Sequence, residues 1–129
     1  MKYLLIILLS LVAQLSFCQE DPGENETAEA HKLWHYANYD FYDYSASDRK
    51  KMVLQAVEKY KKAAELGCYH AMANYGECYE FGYGNLNKDF EQAVIWYRKS
   101  AILGSPKGQW RFGRCLYRGL GIISYTSLP

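Results

Sequence analysis

An all-α solenoid of antiparallel helix pairs, about two and a half repeats long and without a sheet, is the fold this sequence predicts. Three observations predict it. Gln55-Ala56-Val57, Tyr60, Lys62, Ala64, Leu66-Gly67, Gly76, Cys78, Gly82 and Gly84 recur as Gln92-Ala93-Val94, Tyr97, Lys99, Ala101, Leu103-Gly104, Gly113, Cys115, Gly119 and Gly121. The offset is constant at about 37 residues, within the range of stacked helical repeats. Apolar residues fall at helical spacing in each segment, and glycines punctuate the segments where helices should end. No alternating strand pattern occurs.

The elements follow in chain order. Lys2, an apolar stretch of about 10 residues and an exit at Ser16-Phe17-Cys18 describe a secretory signal peptide over residues 1–18. It is too short for a membrane span, which needs about 20 apolar residues. Cleavage after Cys18 is expected. The alternative, Cys18 as a lipidated first residue, is disfavoured by the bulky Phe17 before it. The expected location is therefore secreted or periplasmic, with membrane contact only through the signal segment.

Residues 19–27 are polar, contain Pro22 and Gly23, and are expected to form a disordered leader. Asn25-Glu26-Thr27 is formally a glycosylation sequon. Residues 28–67 read as a diverged helix pair. Its first helix runs from Ala28 to about Tyr44. Its second is capped by Ser47 or Asp48 and carries Met52, Ala56, Val57, Tyr60, Ala63 and Ala64 on one face. Gly67 ends it. Residues 68–104 hold the clearest repeat: a helix from about Tyr69 to Phe81, the turn Gly82-Tyr83-Gly84, and a helix capped by Asn87 that ends at Gly104. Residues 105–129 form a partial repeat and tail. Ser105-Pro106 supplies a cap and a first-turn proline, and Gly119-Leu120-Gly121 closes the helix.

Charge and cysteine usage exclude several function classes. The net charge is +1 with no basic block, so neither nucleic acid nor an anionic membrane surface is an expected partner. If Cys18 leaves with the signal, Cys68, Cys78 and Cys115 remain, an odd count that cannot close a disulfide framework within one chain. Cys78 and Cys115 share a repeat position and are expected to pack inward. Cys68, at a helix start where a dipole can activate a thiol, is expected to be an exposed, inert residue.

His31 and His35 lie one turn apart, but no third ligand has supporting spacing, so no metal and no cofactor are expected. The Gly-x-Gly pairs follow no strand and read as turns between helices rather than as a phosphate cradle. Trp34, Tyr36, Tyr39, Phe41, Tyr42 and Tyr44 cover more than one face of their helix. Some must enter the core, and the others are candidates for a binding face. The candidate partner-binding residues are Trp34, Tyr36, Tyr39, Tyr83 and Trp110.

Tyr60-Lys61-Lys62-Ala63-Ala64-Glu65-Leu66-Gly67, Ala71, Tyr75-Gly76-Glu77-Cys78-Tyr79, Gly82-Tyr83-Gly84, Asp89 and Ala93 together resemble Sel1-like repeats, short-loop relatives of tetratricopeptide repeats. Trp96-Tyr97-Arg98-Lys99-Ser100-Ala101 begins the pattern again. The resemblance covers about Gln55 to Ile122. One extra residue near Asn85 lengthens the period and puts Leu86 where the family has Val. The signature glycines are Gly67, Gly76, Gly82, Gly84, Gly104, Gly113, Gly119 and Gly121.

The resemblance implies a right-handed curl of helix pairs and a scaffold that binds a protein or peptide through its curved face. It implies no enzyme. The secreted, cysteine-rich branch associated with penicillin binding and β-lactamase activity has a cysteine pair in each repeat, whereas Ser105 stands at the second-repeat equivalent of Cys68. A cell-wall or β-lactam activity, and a truncated fragment without activity, are the alternatives. The apolar residues of the last helix, with Ile122-Ile123 beyond, suggest self-association at the C-terminal end.

Overall fold

The computed structural model describes residues 22–39 and 44–121. The signal segment, Cys18, Phe41, Tyr42 and the tail from Ile122 lie outside the described residues. Five helices make up the described chain: α1 (Glu24–Tyr39), α2 (Ala46–Glu65), α3 (Tyr69–Phe81), α4 (Phe90–Ile102) and α5 (Pro106–Arg118). No strand occurs among the described residues, and none of their helices is long and apolar enough to cross a membrane.

Each helix packs on the next, and short connections make neighbours antiparallel. Beyond nearest neighbours, α1 touches α3 and α3 touches α5, whereas α2 and α4 do not meet. The array therefore curls toward the side of α1, α3 and α5, which line its inner face.

The sequence repeat becomes a repeat of backbone geometry. At the end of α2 the Gly67 N–H donates to the Ala64 carbonyl and the Cys68 N–H to the Ala63 carbonyl, both at 3.1 Å. At the end of α4 Gly104 donates to Ala101 at 3.0 Å and Ser105 to Ser100 at 3.1 Å. This crossed pair of bonds is the Schellman closure, and it needs the positive φ that Gly67 (103°) and Gly104 (91°) adopt. One sequence pattern thus stops two helices in one way and turns the chain through the same corner.

Small residues let the helices approach closely. Ala30, Ala56, Ala63, Ala71, Ala73 and Ala93 are fully buried, with Tyr60, Tyr75 and Tyr97 filling the spaces between them. The larger core joins α1, α2 and α3. A smaller one, around Val94, Tyr97 and Cys115, joins α4 to α5.

Several local expectations are corrected. α1 begins at Glu24, so the last residues of the expected leader are helical. Tertiary contact explains the change. Gly23 lies so close to α2 that a Cβ there would come within 2.9 Å of Ala63 Cα. Buried Thr27 donates to the Gly23 carbonyl at 2.7 Å and sits 3.4 Å from Cys68 Sγ. α1 is described as far as Tyr39, and Tyr44, expected at its end, lies in a bend outside any helix.

Ser45, rather than Ser47 or Asp48, caps α2. Its hydroxyl accepts from the Asp48 N–H at 3.1 Å and donates to the Asp48 carboxylate at 2.6 Å, which holds the capping oxygen in place. Asp89, not Asn87, caps α4 by accepting from the Gln92 N–H at 3.0 Å. The Asp89 N–H is held by the Tyr79 carbonyl at 2.8 Å, which places the cap two residues later than expected. Cys68 is buried, not exposed, and makes no side-chain cap bond.

Candidate functional site

A groove of about 270 Å³ opens on the inner face. It is built by α1 through His31 and Trp34, by α3 through Asn74, Glu77, Cys78 and Phe81, and by α5 through Lys107 and Arg111. Tyr83 from the α3–α4 turn closes one end, and Tyr60 and Cys78 lie at its base. One wall is apolar. Trp34 and Tyr83 meet edge to face with ring centroids 4.6 Å apart, and Phe81 lies 5.5 Å from Tyr83. Phe81 is 46% exposed, a large apolar surface on this wall.

The other wall is polar and spans all three inner helices. Lys107 Nζ donates to Asn74 Oδ1 at 2.6 Å and also to the Glu77 carboxylate. With its oxygen engaged, the Asn74 amide donates through Nδ2, to the His70 carbonyl at 3.0 Å and to His31 Nε2 at 3.1 Å. This network assigns His31 Nε2 as an acceptor and therefore a neutral ring. Burial pushes the His31 pKa below its ordinary value, and the nearby Lys107 and His70 add to the shift. Lys107 is pushed down by burial, and Arg111 by burial and by Arg114.

Behind the groove runs an ionic ladder between α3 and α5. Arg111 pairs with Glu77 and reaches Glu80 at 3.5 Å, and Arg114 pairs with Glu80. The Tyr97 hydroxyl donates to Glu80 Oε2 at 2.6 Å, so one carboxylate ties α3, α4 and α5 together. Burial, together with that bond to a carboxylate, raises the Tyr97 pKa and keeps the phenol protonated. Burial likewise pushes the Cys78 thiol up to about 12, so it stays protonated beneath the groove.

The five aromatic candidates fall in four places. Trp34 and Tyr83 come together in the groove. Tyr36 lines a different depression, of about 780 Å³, along the α1–α2 seam with Leu33 and Leu54. Tyr39 is 72% exposed at the end of α1, beside His35. Trp110 is 62% exposed on α5, with the Arg111 and Arg114 guanidinium groups 5.1 and 5.2 Å from its ring. Helical geometry separates the first pair: two residues advance by about 200°, so Trp34 and Tyr36 point to opposite sides of α1. His31 and His35 also diverge, the first toward Asn74 and the second toward Tyr39. Among the described residues no group of three His, Cys, Asp or Glu gathers that could hold a metal ion.

Sequence reasoning misses the polar wall and the ladder. A signal existed in the repeat itself: Asn74 and Glu77 occupy the repeat positions taken by Arg111 and Arg114 in the next unit. One inner-face stripe is acidic or neutral in one repeat and basic in the next, and stacking sets the two side by side. Sequence reasoning also passes over a Ser-x-x-Lys spacing at Ser47–Lys50, the spacing of a β-lactam-type nucleophile. Both residues are exposed in the first turn of α2, and neither lines the inner groove.

Comparison with curated proteins and with solved structures finds no match. The Sel1 repeat family model matches residues 54–68, 70–105 and 106–124. The second segment spans α3 and α4, and the other two fall on α2 and α5. The match covers more than half of the chain, and the protein belongs to the Sel1 repeat family.

Proposed function

We propose that this chain is an exported binding scaffold that takes a protein or peptide segment in the groove between α1, α3 and α5. Sel1 repeats are generally protein–protein interaction scaffolds. The observation that carries the assignment to this face is the junction of an exposed aromatic wall with a polar wall, drawn from three helices and opening on the curved side. An extended segment can lay apolar side chains on Trp34, Phe81 and Tyr83 while its backbone and polar groups meet Asn74 and Lys107. Export to a secreted or periplasmic location belongs to the same proposal and rests on the signal-like segment 1–18. The exposed Trp110, Leu116 and Tyr117 of α5 support a second contact, through which copies of the chain self-associate. Sedimentation at low micromolar concentration reads that contact, and a strict monomer removes it.

The test is cross-linking and capture of partners from the exporting compartment with wild-type, Trp34→Ala and Tyr36→Ala chains. Loss of one reproducible partner with Trp34→Ala and its retention with Tyr36→Ala is the expected result. Equal retention by both variants would move the site elsewhere. Turnover of nitrocefin or covalent labelling by a penicillin probe would favour the cell-wall alternative.

A further inference from the structure

We infer that the groove selects an acidic segment, seating an Asp or Glu side chain on Lys107 and Arg111 with an apolar residue beside it on Trp34, Phe81 and Tyr83. The inference rests on the peptide-binding role proposed above and adds the chemistry of the partner.

The charge balance between α5 and α3, in the groove and directly behind it, carries it. α5 presents three cations, Lys107, Arg111 and Arg114, and α3 answers with two carboxylates, Glu77 and Glu80. The cations outnumber their acceptors, and the hydrogen bonds reflect this. The Nε–H groups of Arg111 and Arg114 are buried with no acceptor. Lys107 directs two of its three N–H bonds to Asn74 and Glu77, which leaves one for a ligand. Lys107 is also the most accessible of the three, its side chain 41% exposed against 15% for Arg111 and 20% for Arg114.

The basic groups lining the groove share one signature. His31, Lys107 and Arg111 are each pushed below their ordinary pKa by burial, and Lys107 adds to the shift at His31 as Arg114 does at Arg111. A group whose charged form is disfavoured in this way gains when an anion arrives. A ligand carboxylate would accept the N–H that Lys107 has left over, and exclusion of water by the aromatic wall would strengthen the pairing. The surplus is a local one, on a chain whose net charge is only +1.

Glu77 makes the idea testable in both directions, because it competes for the same two cations. The probes are a short fluorescein-labelled peptide alternating glutamate with leucine and tyrosine, and its twin with every glutamate replaced by glutamine. Binding to the purified full chain is followed by fluorescence polarisation, with circular dichroism checking that each variant is folded. The glutamate peptide is expected to bind about tenfold tighter than its twin and to weaken as salt is raised. Lys107→Met is expected to remove most of that preference, and Glu77→Gln to increase affinity for the glutamate peptide several-fold by removing the internal competitor.

Equal binding of the twins, or weaker binding to Glu77→Gln, would overturn the selectivity while leaving the groove as a peptide site. Binding of the glutamate peptide that Trp34→Ala leaves unchanged would reject the groove itself. Phosphatidylserine vesicles or a single-stranded oligonucleotide bound as tightly as the glutamate peptide would show a general cationic surface and overturn the assignment to an acidic protein segment.

Discussion

α3 and α5 hold the same place in successive repeats, yet one is enclosed and the other half open. On the outer side of α3, Ala73 and Glu80 are 0% and 5% exposed, and Gly76 is buried under Tyr97 of α4. The same repeat positions on α5 are Trp110, Tyr117 and Gly113. Trp110 and Tyr117 are 62% and 91% exposed, and nothing lies within 4 Å of a Cβ built at Gly113. A repeat position thus specifies where a side chain points, while burial depends on the helix stacked against it. The consequence is a large asymmetry in what substitutions at paired positions should do.

The widest gap is expected at Glu80 and Tyr117. Glu80→Ala removes the partner of Arg114 and of the Tyr97 hydroxyl, and leaves Arg111 with Glu77 alone. Breaking a buried ion pair from one side costs about 3–5 kcal/mol. Tyr117→Ala should change stability by no more than about 0.5 kcal/mol. Urea unfolding of both variants checks the pair. A Glu80→Ala cost under about 1 kcal/mol would mean that the ladder contributes little.

The glycines come next, and here the sign should reverse. A Cβ at Gly76 would lie 2.7 Å from the Tyr97 ring, whose hydroxyl is already tied to Glu80, so the ring cannot swing away cheaply. Gly76→Val should cost about 3 kcal/mol. Gly113→Ala, in open space in the same register, should stabilise the chain by about 0.5–1 kcal/mol through helix propensity. Thermal midpoints of the two variants decide it. Destabilisation by Gly113→Ala would show that α5 is covered in solution.

The smallest effect is a pH dependence at the groove. The His31 pKa is lowered in the folded chain, so the unfolded chain binds the proton more readily. The stability contribution is therefore complete above the ordinary value of 6.5 and is lost as pH falls from there through the folded pKa. His31 as a whole residue remains open to solvent even though its Nε2 is turned into the groove, so solvent screening keeps the change small. His31→Gln, which can still accept from Asn74, should flatten the stability profile over that interval, and a proton NMR titration of the ring should show the lowered midpoint.

Much of the architecture was legible because it depends on short-range rules. Leu66-Gly67 and Leu103-Gly104 end helices through bonds made within a few residues, and Ser105-Pro106 starts one in the same way. The expectations that failed at Gly23–Thr27 and Cys68 depended on contacts across tens of residues, between α1 and the α2–α3 corner. At the site, aromatic content pointed to Trp34 and Tyr83 but equally to Tyr36 and Tyr39, because composition carries no direction. Lys107, Arg111, Glu77 and Glu80 read as ordinary helix-surface charges until α3 and α5 are laid side by side.

The groove is tested most directly by placing a photo-cross-linking phenylalanine analogue at Phe81 and, in a second chain, at Tyr117. Phe81 sits on the groove wall, and Tyr117 on the open side of α5. If the inner face is the binding site, the Phe81 chain captures a defined partner peptide, Trp34→Ala abolishes the capture, and the Tyr117 chain does not capture that peptide. Capture of the same partner from Tyr117, with none from Phe81, would contradict the account and place the site on the outer face of α5.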